Sequence, residues 1–310
     1  MFSVVVLLAT YNGEKYIAEQ LESLARQTYR NFVCYIHDDG STDNTVSICK
    51  EFCSQHREQF VVLDYPKTGG AKYNFFSLMK RVDADYVLFC DQDDYWRPEK
   101  IQKMVDAAQS SLKNANGCLV YSDLQVVDEK LNVLEESFYH LTHLKVDKIN
   151  YKNSLIKGFI PGCAMMIDRI LLNRAGQCKN IQNVKMHDWW IVILAYLTEA
   201  QVIYVPETLV LYRQHSDNTI GAKDMSTLDR IKFNLKRIWT GELRAAKKPN
   251  IETPRQQAKE LYDTKMGTSD KRSFLKSFYE IESRNKLSRV GFYLQNFHGV
   301  YRLWWMVLWV

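Results

Sequence analysis

Four short apolar runs, at residues 4–8, 32–37, 60–64 and 86–90, alternate with amphipathic stretches through the first 125 residues. That rhythm limits the fold more than any other feature of the chain. Residues 14–27 set Ile17, Leu21 and Leu24 on one helical face. Residues 42–55 read as a second helix opened by Ser41 or Thr42, 73–82 as a third, and 98–112 as a fourth with proline at its start. Residues 119–122 resume the sheet. Strands separated by helices need crossover connections, which predicts an α/β fold: a doubly wound, mostly parallel sheet with helices on both faces. Beyond residue 125 the rhythm changes. Short strands at 125–127 and 133–138 border a loop rich in His and Lys, 164–167 is a strand, and 189–198 is a strongly apolar helix. The runs 202–205 and 209–212 read as a hairpin-like pair around Pro206.

The chain has 310 residues, 46% of them hydrophobic, enough for one large α/β domain and an appendage. We place the main domain at 1–222, with halves meeting near 125, and an extension at 223–310. The extension is basic: residues 225–310 carry 17 Lys and Arg against 8 Asp and Glu, while the other 224 residues carry 24 against 28. An acidic front and a basic tail imply two surfaces with different partners, none of them nucleic acid. The seven cysteines form no CxxC pair and no zinc-type spacing, and Cys34, Cys90, Cys118 and Cys163 lie in apolar runs. They read as small buried hydrophobes of a reducing, cytosolic compartment. The apolar start lacks a basic leader and a cleavage site, so it reads as a first strand rather than a signal peptide. No run of about 20 uninterrupted apolar residues suggests a membrane span.

Ligands of open α/β sheets sit beyond the carboxyl ends of the strands. There the polar residues gather: Thr10-Tyr11-Asn12 after the first run, Asp38-Asp39-Gly40-Ser41-Thr42-Asp43 after the second, Lys67-Thr68-Gly69-Gly70-Ala71-Lys72 after the third, and Asp91-Gln92-Asp93-Asp94 after the fourth. Three aspartates within four positions repel one another and raise each other's proton affinity, so folding alone would not select them. An EF-hand fails, because Trp96 holds the position that calls for glycine and Gln102 the twelfth. Each piece has a plainer alternative: Asp-Gly-Ser-Thr-Asp as a turn into a capped helix, Gly69-Gly70 as a simple turn, Trp96 as core, His215 as a surface histidine. Together on one edge they favour a nucleoside diphosphate with a divalent cation, Mn²⁺ or Mg²⁺, held by hard carboxylate oxygens.

The stretches VVVLLATYNGEKYIAEQLESLARQTYRNF, DDGSTDNT and DQDD resemble the glycosyltransferase family 2 pattern of GT-A fold enzymes. The variants FCDQDDYW, PGCAMMI, HDWW and YRQH look like those of bacterial rhamnosyltransferases of cell-wall and capsular polysaccharide assembly. The resemblance spans roughly residues 2 to 220. It implies a metal-dependent, inverting transfer of a sugar, L-rhamnose from dTDP-L-rhamnose first and a UDP-hexose second, onto a lipid-linked glycan. By position it implies that Thr10, Tyr11, Asn12 and Glu14 line the nucleotide pocket, that Asp39 with Asp38 beside it meets the base, and that Lys72 with Asn74 reaches the base or diphosphate. Asp91 and Asp93 become the DxD element around Gln92, with Asp93 the direct metal ligand. Asp94, Trp96, Gly162, Cys163, His187 and Trp189 fall on the donor sugar or acceptor side. Asp188 matches the catalytic base, and Arg213 and His215 close over the diphosphate, His215 as a further metal ligand. Taken alone, Asp188 also reads as the cap of its helix. A sugar-1-phosphate nucleotidyltransferase would want a glycine-rich, arginine-containing loop after the first strand, and ATYNGEKY does not supply it. A non-catalytic binding module would be expected to lose Asp93 or Asp188.

The tail carries one more expectation. Leu228, Ile231, Leu235, Ile238 and Trp239 share a narrow helical face, with Arg230 and Arg237 opposite and Lys232 and Lys236 on the flank. Phe292, Tyr293, Phe297, Tyr301 and the aromatic-rich 303–310 follow. This layout suits an interfacial helix docked on an anionic inner membrane face. Packing on the chain's own domain, or a contact between subunits, is the alternative.

Overall fold

The computed structural model describes residues 2–111, 115–142, 149–158, 160–215 and 252–297. Its first half alternates as the apolar runs dictate: β1 (Val4–Thr10), α1 (Ile17–Ala25), β2 (Phe32–Asp38), α2 (Thr45–Gln55), β3 (Phe60–Val62), α3 (Ala71–Met79) and β4 (Tyr86–Asp91). The two-residue β5 (Tyr95–Trp96), α4 (Lys100–Ser110) and the ten-residue β6 (Cys118–Val127) follow. Next come β7 (Val133–Glu135), α5 (Phe138–Leu141), α6 (Tyr151–Ile156), β8 (Met165–Asp168), α7 (Arg169–Ala175), α8 (His187–Leu197) and β9 (Gln201–Arg213).

The strands form one sheet in the order β3-β2-β1-β4-β8-β6-β9-β5, with β7 on the side of β6. The β3-β2-β1-β4 half is parallel, as are β6 and β9, while β8 runs antiparallel to both its neighbours. Central strands buried on both faces explain the unbroken apolar runs: Val6, Leu7, Leu8, Val87, Leu88 and Phe89 are fully buried. Helix α8 is apolar almost all round because it lies inside the molecule, with Trp190 through Ala195 buried.

Two expectations change here. The pair of runs around Pro206 is not a hairpin. It is the continuous β9, lying parallel to β6, and the register slips between Ser122 and Leu124 where β6 passes the proline. A bulge there removes the need for the N–H that proline lacks. The separate strands expected at 119–122 and 125–127 are likewise one strand, β6.

The extension supplies α9 (Glu252–Asp263), α10 (Ser269–Tyr279) and α11 (Lys286–Asn296). Phe274, Phe278, Phe292, Tyr293 and Phe297 are buried together, with Phe278 and Phe297 ring centroids 5.6 Å apart, and they join the same core as the sheet. The interfacial role expected for Phe292, Tyr293 and Phe297 is therefore corrected. A fully buried aromatic ring is worth about 1.5–3 kcal/mol, and the side of α6 and α8 supplies that burial. The Tyr151 ring meets Phe274 at 5.5 Å, and Lys271 Nζ donates to the Tyr196 and Leu197 carbonyls at 3.0 and 3.1 Å. The amphipathic segment 228–239, the boundary at 222 and residues 303–310 lie outside the described residues. No helix among the described residues is long and apolar enough to cross a membrane.

Candidate active site

Parallel register builds the site. Thr10 stands beside Asp38 and Ala9 beside Asp91, so the turns after β1, β2 and β4 leave the sheet at one edge. The first two turns are laced together. Thr10 Oγ1 donates to Asp38 Oδ1 at 2.9 Å, and Asp38 Oδ2 accepts from the Gly40 and Ser41 amides at 2.9 and 2.7 Å. Asn12 takes a left-handed φ of 47°, which asparagine tolerates, and its Oδ1 accepts from the Thr42 amide at 2.8 Å. Glu14 Oε2 accepts from the amide and side chain of Asn44 at 2.9 and 2.8 Å, so it braces the start of α2 and is not directed at a ligand. The Tyr11 ring stays open, 56% exposed, and its backbone pairs both ways with the Gln92 amide at 2.8 and 2.9 Å. A Cβ at position 13 would stand 2.2 Å from Gln92 Oε1 and would displace that amide from the Tyr11 backbone.

Asp39 is gripped by the third loop. Its carboxylate accepts from the Thr68, Gly69 and Gly70 amides and from Thr68 Oγ1 at 2.8 Å. Burial pushes its proton affinity up, and these hydrogen bonds outweigh that and hold the pKa below the usual carboxylate range. The positive φ of Gly69 and Gly70, 95° and 128°, lets consecutive amides face one carboxylate. Lys72 Nζ donates to the Val184 carbonyl at 2.7 Å. Asn74 is buried with both ends of its amide on His37, so its expected contact with the base or diphosphate is corrected.

The acidic turn after β4 divides into two environments. Asp91 Oδ, Asp94 Oδ and Cys163 Sγ lie within 4.8 Å of one another, and among the described residues they form the group able to hold a metal ion. Asp94 is 1% exposed, accepts from the Arg213 amide at 3.2 Å and keeps Oδ2 without a hydrogen-bond partner. Asp93 turns away, its Oδ2 2.9 Å from His215 Nε2. Burial, then the charges of Asp93 and Asp188, push Asp91 up to about 7, and burial with its acidic neighbours raises Asp94 well above the normal range. Cys163 is held as a thiol by burial, which makes it a weak ligand beside two carboxylates.

Beneath this group lies Lys100, which the sequence reading passed over. It is fully buried, its Nζ donates to the Cys163 carbonyl and sits 3.6 Å from the Trp96 ring centre, and burial lowers its pKa to about 8. Trp96 itself is 0% exposed, because β5 pairs with β9 and turns the indole inward. Its expected role as a sugar platform is corrected to core. Arg213 is corrected too: its guanidinium is buried, donating to the Asp93 and Glu129 carbonyls at 2.9 and 2.5 Å and to Glu19 Oε2 at 2.5 Å. It fixes the acidic turn from behind instead of closing over a diphosphate.

Asp188 lies in the first turn of α8, with Met186 at the cap position. Its Oδ1 accepts from the Trp189 amide at 2.6 Å, and the Gly162 backbone also hydrogen-bonds it. Burial outweighs both and raises its pKa to about 6. His187 faces the other way, between Phe75 and Phe89 at ring distances of 4.0 and 5.3 Å, and burial lowers its pKa to about 3. It is a neutral packing residue, which corrects its assignment to the sugar side. A Cβ at position 162 would stand 2.7 Å from His187 Nε2, which explains Gly162. Trp189 donates its indole N–H to the Ser154 carbonyl and packs its ring over Gly158, so it lines the wall formed by α6.

A curled, mostly parallel sheet with paired loops and an acidic turn on one edge is the architecture of GT-A glycosyltransferases. The model of glycosyl transferase family 2 matches residues 5–173, and the chain belongs to that family. It is 33% identical over 232 residues to the dTDP-rhamnosyl transferase RfbG of Shigella flexneri, covering 69% of this chain and 74% of that one. It is 29% identical over 173 residues to WfgD of Escherichia coli, a UDP-Glc:alpha-D-GlcNAc-diphosphoundecaprenol beta-1,3-glucosyltransferase, covering 56% of this chain and 62% of that one. Among solved structures, S. aureus TarS 1–349 in complex with UDP superposes with a TM-score of 0.56 at 17% identity, covering 97% of this chain and 78% of that one.

Proposed function

We propose that this glycosyltransferase moves L-rhamnose from dTDP-L-rhamnose, with inversion at the anomeric carbon, onto a hydroxyl of a lipid-linked glycan. The observation that carries the reading is the meeting of Asp188 and the acidic group at the Gly162-Cys163 turn: the Gly162 backbone hydrogen-bonds Asp188, and the next residue, Cys163, stands with Asp91 and Asp94. Inversion needs a base on the face opposite the leaving group. Asp188 takes the proton of the acceptor hydroxyl as its oxygen bonds the anomeric carbon and the diphosphate leaves with the bonding pair. With its pKa near 6, Asp188 is ionised at neutral pH yet basic enough to accept that proton.

The donor atoms present fit a hard divalent cation, Mn²⁺ or Mg²⁺, and the partnerless Asp94 Oδ2 marks a place for one. Asp91 with Asp94 would hold it, and Asp93, paired to His215, stands beside them. When bound, such an ion supplies positive charge to the departing diphosphate. The open Tyr11 ring and the Asp39 loop form the nucleotide side, and the wall of Trp189 and Gly162 forms the acceptor side. RfbG supports rhamnose as the donor sugar, and WfgD supports both a lipid-linked acceptor and UDP-hexose as the second reading.

A panel of dTDP-rhamnose, UDP-glucose, UDP-galactose and UDP-GlcNAc, assayed for hydrolysis with Mn²⁺, tests the donor. Preference for a UDP-hexose rejects rhamnose and leaves the family assignment standing. We further propose that the basic segment 223–251 and the aromatic 303–310 hold the enzyme on the inner membrane face. Flotation of the full chain with anionic liposomes at low salt tests that, and failure to float favours a subunit contact instead.

A further inference from the structure

We infer that Glu260 and Gln257, on helix α9 of the extension, are positioning residues for the Asp188 chemistry. This rests on the reading of Asp188 as the base. The segment that delivers Asp188 to the cleft, residues 178–186, has little regular structure: one 3₁₀ turn at Ile181–Asn183 and then an extended approach to α8. Something outside the segment has to fix it, and α9 does so by acting as an external cap. Glu260 is 4% exposed, and its Oε1 accepts from the Lys179 and Asn180 amides at 2.7 and 3.0 Å while Oε2 meets Asn183 Nδ2 at 3.5 Å. One helical turn earlier, Gln257 Oε1 accepts from the Lys185 amide at 2.8 Å, three residues before the base. The Gln257 Nε2 is buried without a hydrogen-bond partner, a cost the fold tolerates while keeping Oε1 on Lys185.

From the opposite side Lys72 Nζ takes the Val184 carbonyl at 2.7 Å. Lys72 follows directly on the Gly70 loop that grips Asp39, so the same short segment is tied both to the nucleotide side and to the extension. The Gln257 tie to Lys185 bears on where α8 begins, and the Glu260 ties to Lys179, Asn180 and Asn183 hold the segment that leads to it. A buried carboxylate reading backbone amides is strong and directional, since hydrogen bonds to a charged group are roughly twice as strong as neutral ones. The extension therefore belongs to the catalytic machinery as a clamp on the base, whatever else its surface binds.

The test uses the full chain with Glu260→Ala, Glu260→Gln and Gln257→Leu, and Asp188→Asn as reference. Amide hydrogen exchange over 178–186 should rise by about tenfold or more in Glu260→Ala, kcat should fall roughly 10- to 100-fold as the base drifts, and the donor KM should stay within about twofold. Glu260→Gln keeps an acceptor oxygen and should recover most of kcat; Gln257→Leu removes the Lys185 tie, should raise exchange at 184–186 and lower kcat in the same sense, and serves as the reading if the alanine variant does not fold. Unchanged exchange, or faster exchange with wild-type kcat, overturns the clamp. If Asp188→Asn retains full transfer, the base assignment has failed instead, and the exchange result still decides whether α9 holds the segment.

Discussion

The titration of Asp188 is the most direct handle on the chemistry. Burial raises its pKa to about 6 against the hydrogen bonds from Trp189 and Gly162, and a base works only when ionised. Turnover at saturating donor and acceptor should therefore be lost as pH falls through about 6, not as it rises. A group with that pKa is ~90% ionised at pH 7 and ~10% at pH 5, so the rate should drop roughly tenfold across the interval with unit slope below it. Asp91, pushed up to about 7, titrates close by, and saturating Mn²⁺ keeps it ionised and out of the profile. Asp188→Asn should cut transfer by roughly 10²–10⁴ and abolish the acid limb, while calorimetry still finds donor binding. A residual rate that keeps its limb near 6 assigns the titration to another group. Loss of donor binding together with turnover places Asp188 in the donor pocket or the fold, and the reasoning fails.

Asp94→Asn should abolish most turnover with the circular dichroism unchanged, and metal stripping of the wild type should reproduce it; full activity after stripping refutes cation dependence. Without cation, Asp91 costs stability above its unfolded pKa of 3.8, and the cost grows as pH rises towards about 7. Denaturant melts in chelator should thus show Asp91→Asn more stable than wild type at pH 8, by up to roughly 4 kcal/mol, with the gap closing near pH 4. Lys100→Met removes the buried ammonium under the carboxylates and should destabilise the apo protein by roughly 3–5 kcal/mol; a neutral melt would show that Lys100 does not balance them. Binding of Mn²⁺ near pH 7 should release roughly half a proton or more, read by calorimetry in buffers of different ionisation enthalpy, and zero release would mean Asp91 does not meet the ion.

The parallel half of the sheet and the edge that carries the site were legible because they depend on local pattern. Unbroken apolar runs place β1, β2 and β4, and the residue after each run is fixed by the run's end. What stayed illegible depends on partners distant in sequence. Pro206 between two apolar runs reads as a turn until β6 supplies a bulge opposite it. Trp96 after an acidic turn suits a sugar platform or a core equally, and its pairing with Val210 decides. Phe292, Tyr293 and Phe297 have a composition shared by membrane interfaces and cores, and only the packing against α10 separates them. Lys100 left a signal that could have been used: it shares a helical face with Met104, one residue before the buried Ile101. Glu260 left none, because a glutamate in the last turn of a polar helix is ordinarily solvated.

The charges around the acidic turn explain why it survives in a folded protein. Arg213 meets the turn through its backbone amide, yet its guanidinium takes the Asp93 carbonyl and the Glu19 carboxylate and neutralises neither Asp91 nor Asp94. Asp93 has His215. Among the described residues, the cation that acts on the Asp91 and Asp94 pair is the Lys100 ammonium, and burial lowers its pKa to about 8. Burial and their mutual repulsion push both carboxylates of the pair, Asp94 buried and Asp91 half-buried, towards the protonated form. A divalent cation held by Asp91 and Asp94, as proposed above, would displace a proton held there and supply one more positive charge than the proton does. That exchange would tie the ionisation of the site to the presence of substrate, which is what the proton-release measurement reads.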